Sequence, residues 1–281
     1  MELAIHRPRP PLDAHVETMT YFSGLTVPHT REKLIPDGAI ELIVDLADRP
    51  KALYAHETGR AATRFRHSWI SGMQLKPLII EVQPQASLFV IRFRAGGITA
   101  FLGHDAAVLT DAVNQLDVVL GASSLRDRVL EGGTPAEKFA GAERWLLERG
   151  RDRLAVDPAV RHLAARLGSG RVRDLIATTG YSERQVLNLF RKHVGISPKQ
   201  FARVQRFKRL LGSLGGAEDP WLGSGPLPPQ DWAGLAAAHG YADQSHLNHE
   251  FRAFAGTTPG AYAAAYGGLT NYLPIMGPAD A

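Results

Sequence analysis

Two stretches of this chain, about sixty residues apart, are built on one frame. Residues 180–198 read GYSERQVLNLFRKHVGISP, and residues 240–259 read GYADQSHLNHEFRAFAGTTP. Each opens on Gly-Tyr, runs through a helix-length pattern of spaced apolar residues, and closes on Gly, Ile or Thr, Ser or Thr, then Pro. Apolar residues recurring every three to four positions share one side of the chain only if it is helical. Glycine supplies the left-handed backbone of a tight turn, and proline is tolerated in the first turn of the next helix. The C-terminal part is therefore expected to be all-α and to hold one supersecondary unit twice.

With its upstream flank, the first copy reads as two short helices. Val172, Leu175 and Ile176 form an i, i+3, i+4 stripe, Gly180 makes the turn, and Ser182 is a good N-cap. Val186, Leu189 and Phe190 then form a second inward stripe. The second copy repeats this with Trp232, Leu235 and Ala236, the Gly240-Tyr241 turn, and Leu247, Phe251 and Phe254. Phe190 lies ten residues after its glycine and Phe251 eleven after its own, so the second turn is one residue longer. Two helices joined by a glycine turn describe a helix-turn-helix, whose second helix enters the DNA major groove. The outward residues are Arg184, Gln185, Leu187, Asn188, Arg191 and Lys192 in the first copy. In the second they are Gln244, Ser245, His246, Asn248, His249 and Arg252. Arg, Gln and Asn can make paired hydrogen bonds to guanine or adenine edges, and Lys suits phosphate.

Charge distribution supports a polyanionic partner. Residues 1–150 carry 17 Lys and Arg against 18 Asp and Glu, residues 151–213 carry 14 against 4, and residues 214–281 carry 1 against 6. The basic block comprises Arg161, Arg166, Arg171, Arg173, Arg184, Arg191, Lys192, Lys199, Arg203, Arg206, Lys208 and Arg209, with Arg151 and Arg153 at its start. The second unit offers only Arg252. The first unit is thus expected to anchor the chain on phosphates, and the second to add weaker groove contacts modulated by protonation of His246 and His249.

These motifs resemble the AraC-type transcriptional regulators over roughly residues 155–266. The strongest matches are GYSERQVLNLFRKHVGISPKQFARVQRFKRLL and GYADQSHLNHEFRAFAGTTPGAY, with the unequal glycine-to-phenylalanine spacings. The resemblance implies a rigid helix between the units that sets their recognition helices into successive grooves, about 34 Å apart. Here that helix is read from Pro198 to Leu214, a span of ~24 Å at 1.5 Å per residue. Activation through contact with RNA polymerase is also what the resemblance implies. The Gly/Pro-rich segment 212–231 is longer than the family's usual connection and reads as a loop or linker.

The N-terminal half has a different period. AIELIVDL (39–46), LIIEVQ (78–83) and LFVIRFR (88–94) alternate with period two, separated by PDG, SG and RAGG turns. An antiparallel β sandwich or barrel, cupin-like, is expected, followed by helical pieces ITAFLG, DAVNQLDVVLG, SSLRDRVLE and PAEKFAGAERWLLERG over residues 98–150. Residues 1–150 read as a ligand-sensing or dimerisation domain. Residues 151–281 read as the DNA-binding domain, with units at about 171–198 and 232–259 and the linker at 199–231. The tail after Tyr266 looks irregular. LIPDGAIELIVDL and VIRFRAGGITAFLG are similar to a β-rich sensory domain of one branch of that family.

The expected fold class is α+β, and the expected partners are double-stranded promoter DNA and a small-molecule effector, with a homodimer left open. No cofactor, metal or catalytic residue is expected. The chain has no Cys, which excludes thiolate metal sites, a cysteine nucleophile and a methyl-acceptor thiol. MELAIHRPRPPL lacks the apolar core of a signal peptide and no apolar run spans a bilayer, so a cytoplasmic location away from membranes is expected. The alternatives are a cupin-like metal-dependent enzyme and a protein-interaction module. For the enzyme, His56, Glu57 and His67 lack a clustered His-x-His pattern. His239, His246, His249 and Glu250 could suggest a metal site, but His246 and His249 also lie on a recognition face. Arg92 and Arg94 admit two readings, an anion site in a pocket or a solvated strand face.

Overall fold

The computed structural model describes residues 1–214 and 226–276. The middle of the 212–231 segment and the last five residues lie outside the described residues. The first half forms two antiparallel sheets. Their strands are β1 (Glu2–His6), β2 (Val16–Leu25), β3 (Arg31–Leu34), β4 (Ile40–Asp45), β5 (Lys51–Tyr54), β6 (Ala61–Phe65), β7 (Ser68–Ser71), β8 (Leu78–Glu81), β9 (Ala86–Phe93) and β10 (Val113–Gln115). An eleventh, β11 (Tyr272–Ile275), comes from the far end of the chain. One sheet runs β1-β2-β9-β4-β7-β10 and the other β11-β3-β8-β5-β6. The expected antiparallel sandwich is present.

Period-two alternation gives the first sheet two different faces. Leu42, Val44, Ile70, Phe89, Ile91 and Phe93 point to one side and are fully buried. There they pack under the helices α1 (Leu116–Leu120), α2 (Leu125–Glu131) and α3 (Pro135–Gly150). Thr134 and Glu137 start α3 with a reciprocal capping box, and Pro135 occupies its first position, where no N–H is needed. The other face, with Ile43, Trp69, Leu88 and Val90, looks across at the second sheet.

Two local readings are corrected. DAVNQLDVVLG does not begin as a helix: residues 113–115 pair with β7, and only Leu116–Leu120 are helical. The tail after Tyr266 is not irregular throughout, because β11 pairs antiparallel with β3, Tyr272 opposite Leu34 and Pro274 opposite Glu32. Pro274 can sit in this strand because β11 is a sheet edge, where a missing N–H breaks no ladder.

The second half is helical: α4 (Pro158–Arg166), α5 (Val172–Ala177), α6 (Glu183–His193), α7 (Pro198–Leu214), α8 (Trp232–Ala238), α9 (Gln244–Ala255) and α10 (Pro259–Ala265). Two apolar clusters organise it. The first runs without a break from the first sheet through Trp145 and Leu146 to Val160, Val186, Phe190 and Phe201. The second gathers Val204, Phe207, Leu210, Leu247, Phe251, Phe254 and Tyr262, joined by Ile35 and Leu273. Helix α7 takes part in both, which makes it the spine of this half.

Candidate nucleic-acid interface and inter-sheet cavity

Helices α5 and α6 form the first helix-turn-helix, and α8 and α9 the second. Gly180 and Gly240 both adopt φ +74°, the left-handed conformation each tight turn requires. Ser182 caps α6, its Oγ accepting from the Gln185 N–H at 3.3 Å while Gln185 Oε1 accepts from the Ser182 N–H at 2.9 Å. Asp243 caps α9 by accepting from the His246 N–H at 2.7 Å. Inward, Val186 and Phe190 are buried in one unit, Leu247, Phe251 and Phe254 in the other, as their spacing requires.

Outward, Arg184, Gln185, Asn188, Arg191 and Lys192 of α6 are exposed, and Leu187 is half-buried beside them. Gln185 spends its carbonyl oxygen on the cap, leaving its amide nitrogen for any partner. On α9, Gln244, Ser245, His249 and Arg252 are exposed, while His246 is half-buried. The His246 ring sits edge-on to Tyr241, and its Nδ1 accepts from the Ala242 N–H at 3.3 Å. Each unit thus presents one polar helix face to solvent.

The basic block divides on inspection of its partners. Arg161, Arg166, Arg171, Arg173, Arg184, Arg191, Lys192, Lys199 and Arg209 are exposed. Arg203 and Arg206 are not available to phosphates in the same way, which corrects their inclusion among the free cations. They hold Glu250, a carboxylate only 2% exposed: Arg203 Nη2 lies 2.6 Å and Arg206 Nη2 3.7 Å from its oxygens. Arg206 also stacks over Tyr241 at 4.4 Å and donates to the Gly240 carbonyl at 3.2 Å. Burial pushes the Tyr241 hydroxyl up to about 12. These bonds fix α9 to α7 and so set the attitude of the second helix of that unit.

The N-terminal half grips the first unit directly. Thr110 Oγ1 donates to the Gly195 carbonyl at 2.8 Å, and Thr99 Oγ1 lies 3.2 Å from His193 Nδ1. Burial, with Lys192 adding to it, lowers the His193 pKa.

Between the sheets lies a cavity of about 520 Å³. Residues from both sheets line it, with Leu269, Tyr272, Pro274 and Met276 of the tail closing one side. Arg92 satisfies neither sequence reading. It shares the inward face with Leu88 and Val90, but its guanidinium is taken up by Glu17 at 3.0 Å, Glu41 at 2.6 Å and Asp37. Arg94 is exposed and donates to the Asp13 carbonyl at 2.8 Å. Glu57 pairs with Lys33 at 2.6 Å and His67 with Asp48 at 2.9 Å. Sequence reasoning named Glu250 only as a possible metal ligand and missed its pairing with Arg203 and Arg206, and it missed Tyr272 altogether. Nothing in the local sequence marks Glu250 as buried, and the only signal for β11 was the brief YLPI alternation.

Residues 4–115 match a family described as a domain of unknown function, DUF6597. No curated protein matches the chain. Among solved structures the chain is similar to ToxT from Vibrio cholerae, at 11% identity over 93% of this chain and 97% of that one, with a TM-score of 0.41. A structure of unsaturated fatty acid bound ToxT from the same organism gives 11% identity over 87% and 90%, with a TM-score of 0.37. Likeness at this level is too distant to carry function or ligand across. No helix among the described residues is long and apolar enough to cross a membrane.

Proposed function

We propose that this chain is a cytoplasmic, sequence-specific DNA-binding regulator of the AraC type, and that a small molecule in the inter-sheet cavity controls it. The observation that carries the reading is the pair of helix-turn-helix units on one continuous spine, α7, each with its polar recognition face exposed. Arg184, Asn188, Arg191 and Lys192 are the main readers in the first unit, with Gln185 through its amide nitrogen and Leu187 as an apolar contact. Gln244, Ser245, His246, His249 and Arg252 read in the second. Two helices in successive grooves cover a longer site than one can. The AraC resemblance adds promoter activation through RNA polymerase.

The test is selection of bound sequences from random duplex DNA, followed by salt titration on the selected site. A site spanning two grooves is expected. Six to ten phosphate contacts would cost ~10³–10⁵ in affinity between 50 and 200 mM salt. Absence of duplex binding at low salt overturns the reading.

A further inference from the structure

The cavity's charge identifies what it can hold. Its charged lining is mainly acidic: Glu32 from β3, Glu41 from β4 and Glu81 from β8, against Lys51 and His29. Both of these groups already hold a hydrogen-bond partner. Lys51 Nζ donates to Gln83 Oε1 at 2.5 Å, and the His29 ring meets Glu32 Oε1 at 2.6 Å. Just beyond, Arg92 is shared by three carboxylates, and Lys51 is offset by nearby Asp45 and Glu81, so carboxylates outweigh the cations around the space.

Acceptors, by contrast, are left over. Glu41 and Glu32 each bond through Oε1, and among the described residues the second oxygen of each accepts no hydrogen bond. The two lie on the inner faces of facing sheets, Glu41 level with Ser71 and Glu32 level with Pro274. Phe22, Phe65, Trp69 and Tyr272 supply aromatic rings around them. Aromatic rings with carboxylates in a mostly apolar space are the surroundings that suit a hydrophobic cation.

We propose that the inter-sheet cavity binds a lipophilic amine: an ammonium group held by Glu41 and Glu32, with its apolar body against the aromatic wall. This rests on the reading of the cavity as an effector site and names the chemistry of its occupant. The electrostatics of two groups agree with the sign of the local field. Burial raises the Glu41 carboxyl, with Asp37 and Glu17 adding to that and Arg92 opposing it. Burial also raises the Tyr272 hydroxyl, and Glu41, Glu32 and Asp37 push it the same way. An ammonium there would relieve both, whereas a carboxylate would add to the repulsion. At about 520 Å³ the space suits a ligand of drug size.

The experiment uses the full chain and three probes with one apolar body: naphthylmethylamine, naphthylmethanol and naphthylacetate, titrated by calorimetry at neutral pH. The amine is expected to bind about tenfold more tightly than the acid, with the alcohol between them, as one charge interaction of ordinary size would give. Glu41→Gln and Glu32→Gln should each narrow that gap. Glu32→Gln keeps the test open if Glu41→Gln fails to fold after depriving Arg92 of a partner. Acid binding as tight as the amine, no binding by any probe, or an unchanged gap in both variants overturns the proposal. Duplex binding is measured on the same samples. Amine preference without duplex binding keeps the occupant and removes the regulator reading, and duplex binding without amine preference does the reverse.

Discussion

The two helix-turn-helix units share a sequence frame but are held in place by different physics. The first is set into the same apolar cluster as the first sheet, through Val160, Val186 and Phe190, and needs few ion pairs. The second sits in a separate aromatic cluster, where Phe251 packs edge-on to Phe207, Trp232 and Tyr262. It is further fixed by a buried carboxylate between two arginines of the spine. A buried charge survives only when paired and hydrogen-bonded, so Arg203 and Arg206 are committed to the fold. A count of cations along α7 therefore overstates the charge left to meet a phosphate.

The largest effect should come from removing the aromatic centre of one unit. Phe251→Ala is expected to cost ~3–5 kcal/mol through the cavity it leaves, and to loosen the second unit before the rest. Phe190→Ala should cost a similar amount but weaken the sandwich as well, since that cluster is shared. Chemical denaturation followed by hydrogen exchange separates the cases, and uniform loss of protection in both variants would erase the contrast.

Glu250→Gln probes the second difference. Loss of the buried charge should cost about 2 kcal/mol, measured in the same denaturation experiment. It also frees Arg203 and Arg206, so the salt dependence of duplex binding should steepen. An unchanged stability would show that these arginines were never committed.

Arg191→Ala and Arg252→Ala compare the exposed faces directly. Arg191→Ala is expected to cost ~1–3 kcal/mol of DNA affinity, and Arg252→Ala clearly less. Equal losses in salt-titrated binding would sink the asymmetric division of labour, in which the first unit anchors and the second contributes weaker contacts.

The smallest effect concerns the grip of the N-terminal half on the first unit. His193 has its pKa lowered below 6.5 mainly by burial, so the folded state resists protonating it. Above the ordinary histidine value neither state is charged and the contact is unaffected. As pH falls from about 6.5 toward the depressed value, the unfolded state binds more protons and stability is lost. His193→Gln should flatten that part of the stability profile, and an unchanged profile would remove His193 as its source.

Much of this was legible in the residues. The alternation in LFVIRFR put Phe89, Ile91 and Phe93 on one face, and the spacing around Gly180 and Gly240 gave both helix pairs. Local patterns of this kind are readable because backbone period and side-chain burial are tied over a few residues. The partner of Glu250 was not legible, since it lies 47 residues away on another helix. Nor was β11, whose four residues become a strand only against β3, more than two hundred positions earlier.

The sequence alone therefore determined the fold class, the two repeated helix-turn-helix units and the lopsided charge between them, because these depend on periodicity and composition. Only the tertiary structure decided which arginines are free, what lines the cavity, and that Arg92 is already saturated. Those outcomes depend on which distant groups meet when charges are buried, and a buried charge takes whatever partner the packing brings within reach.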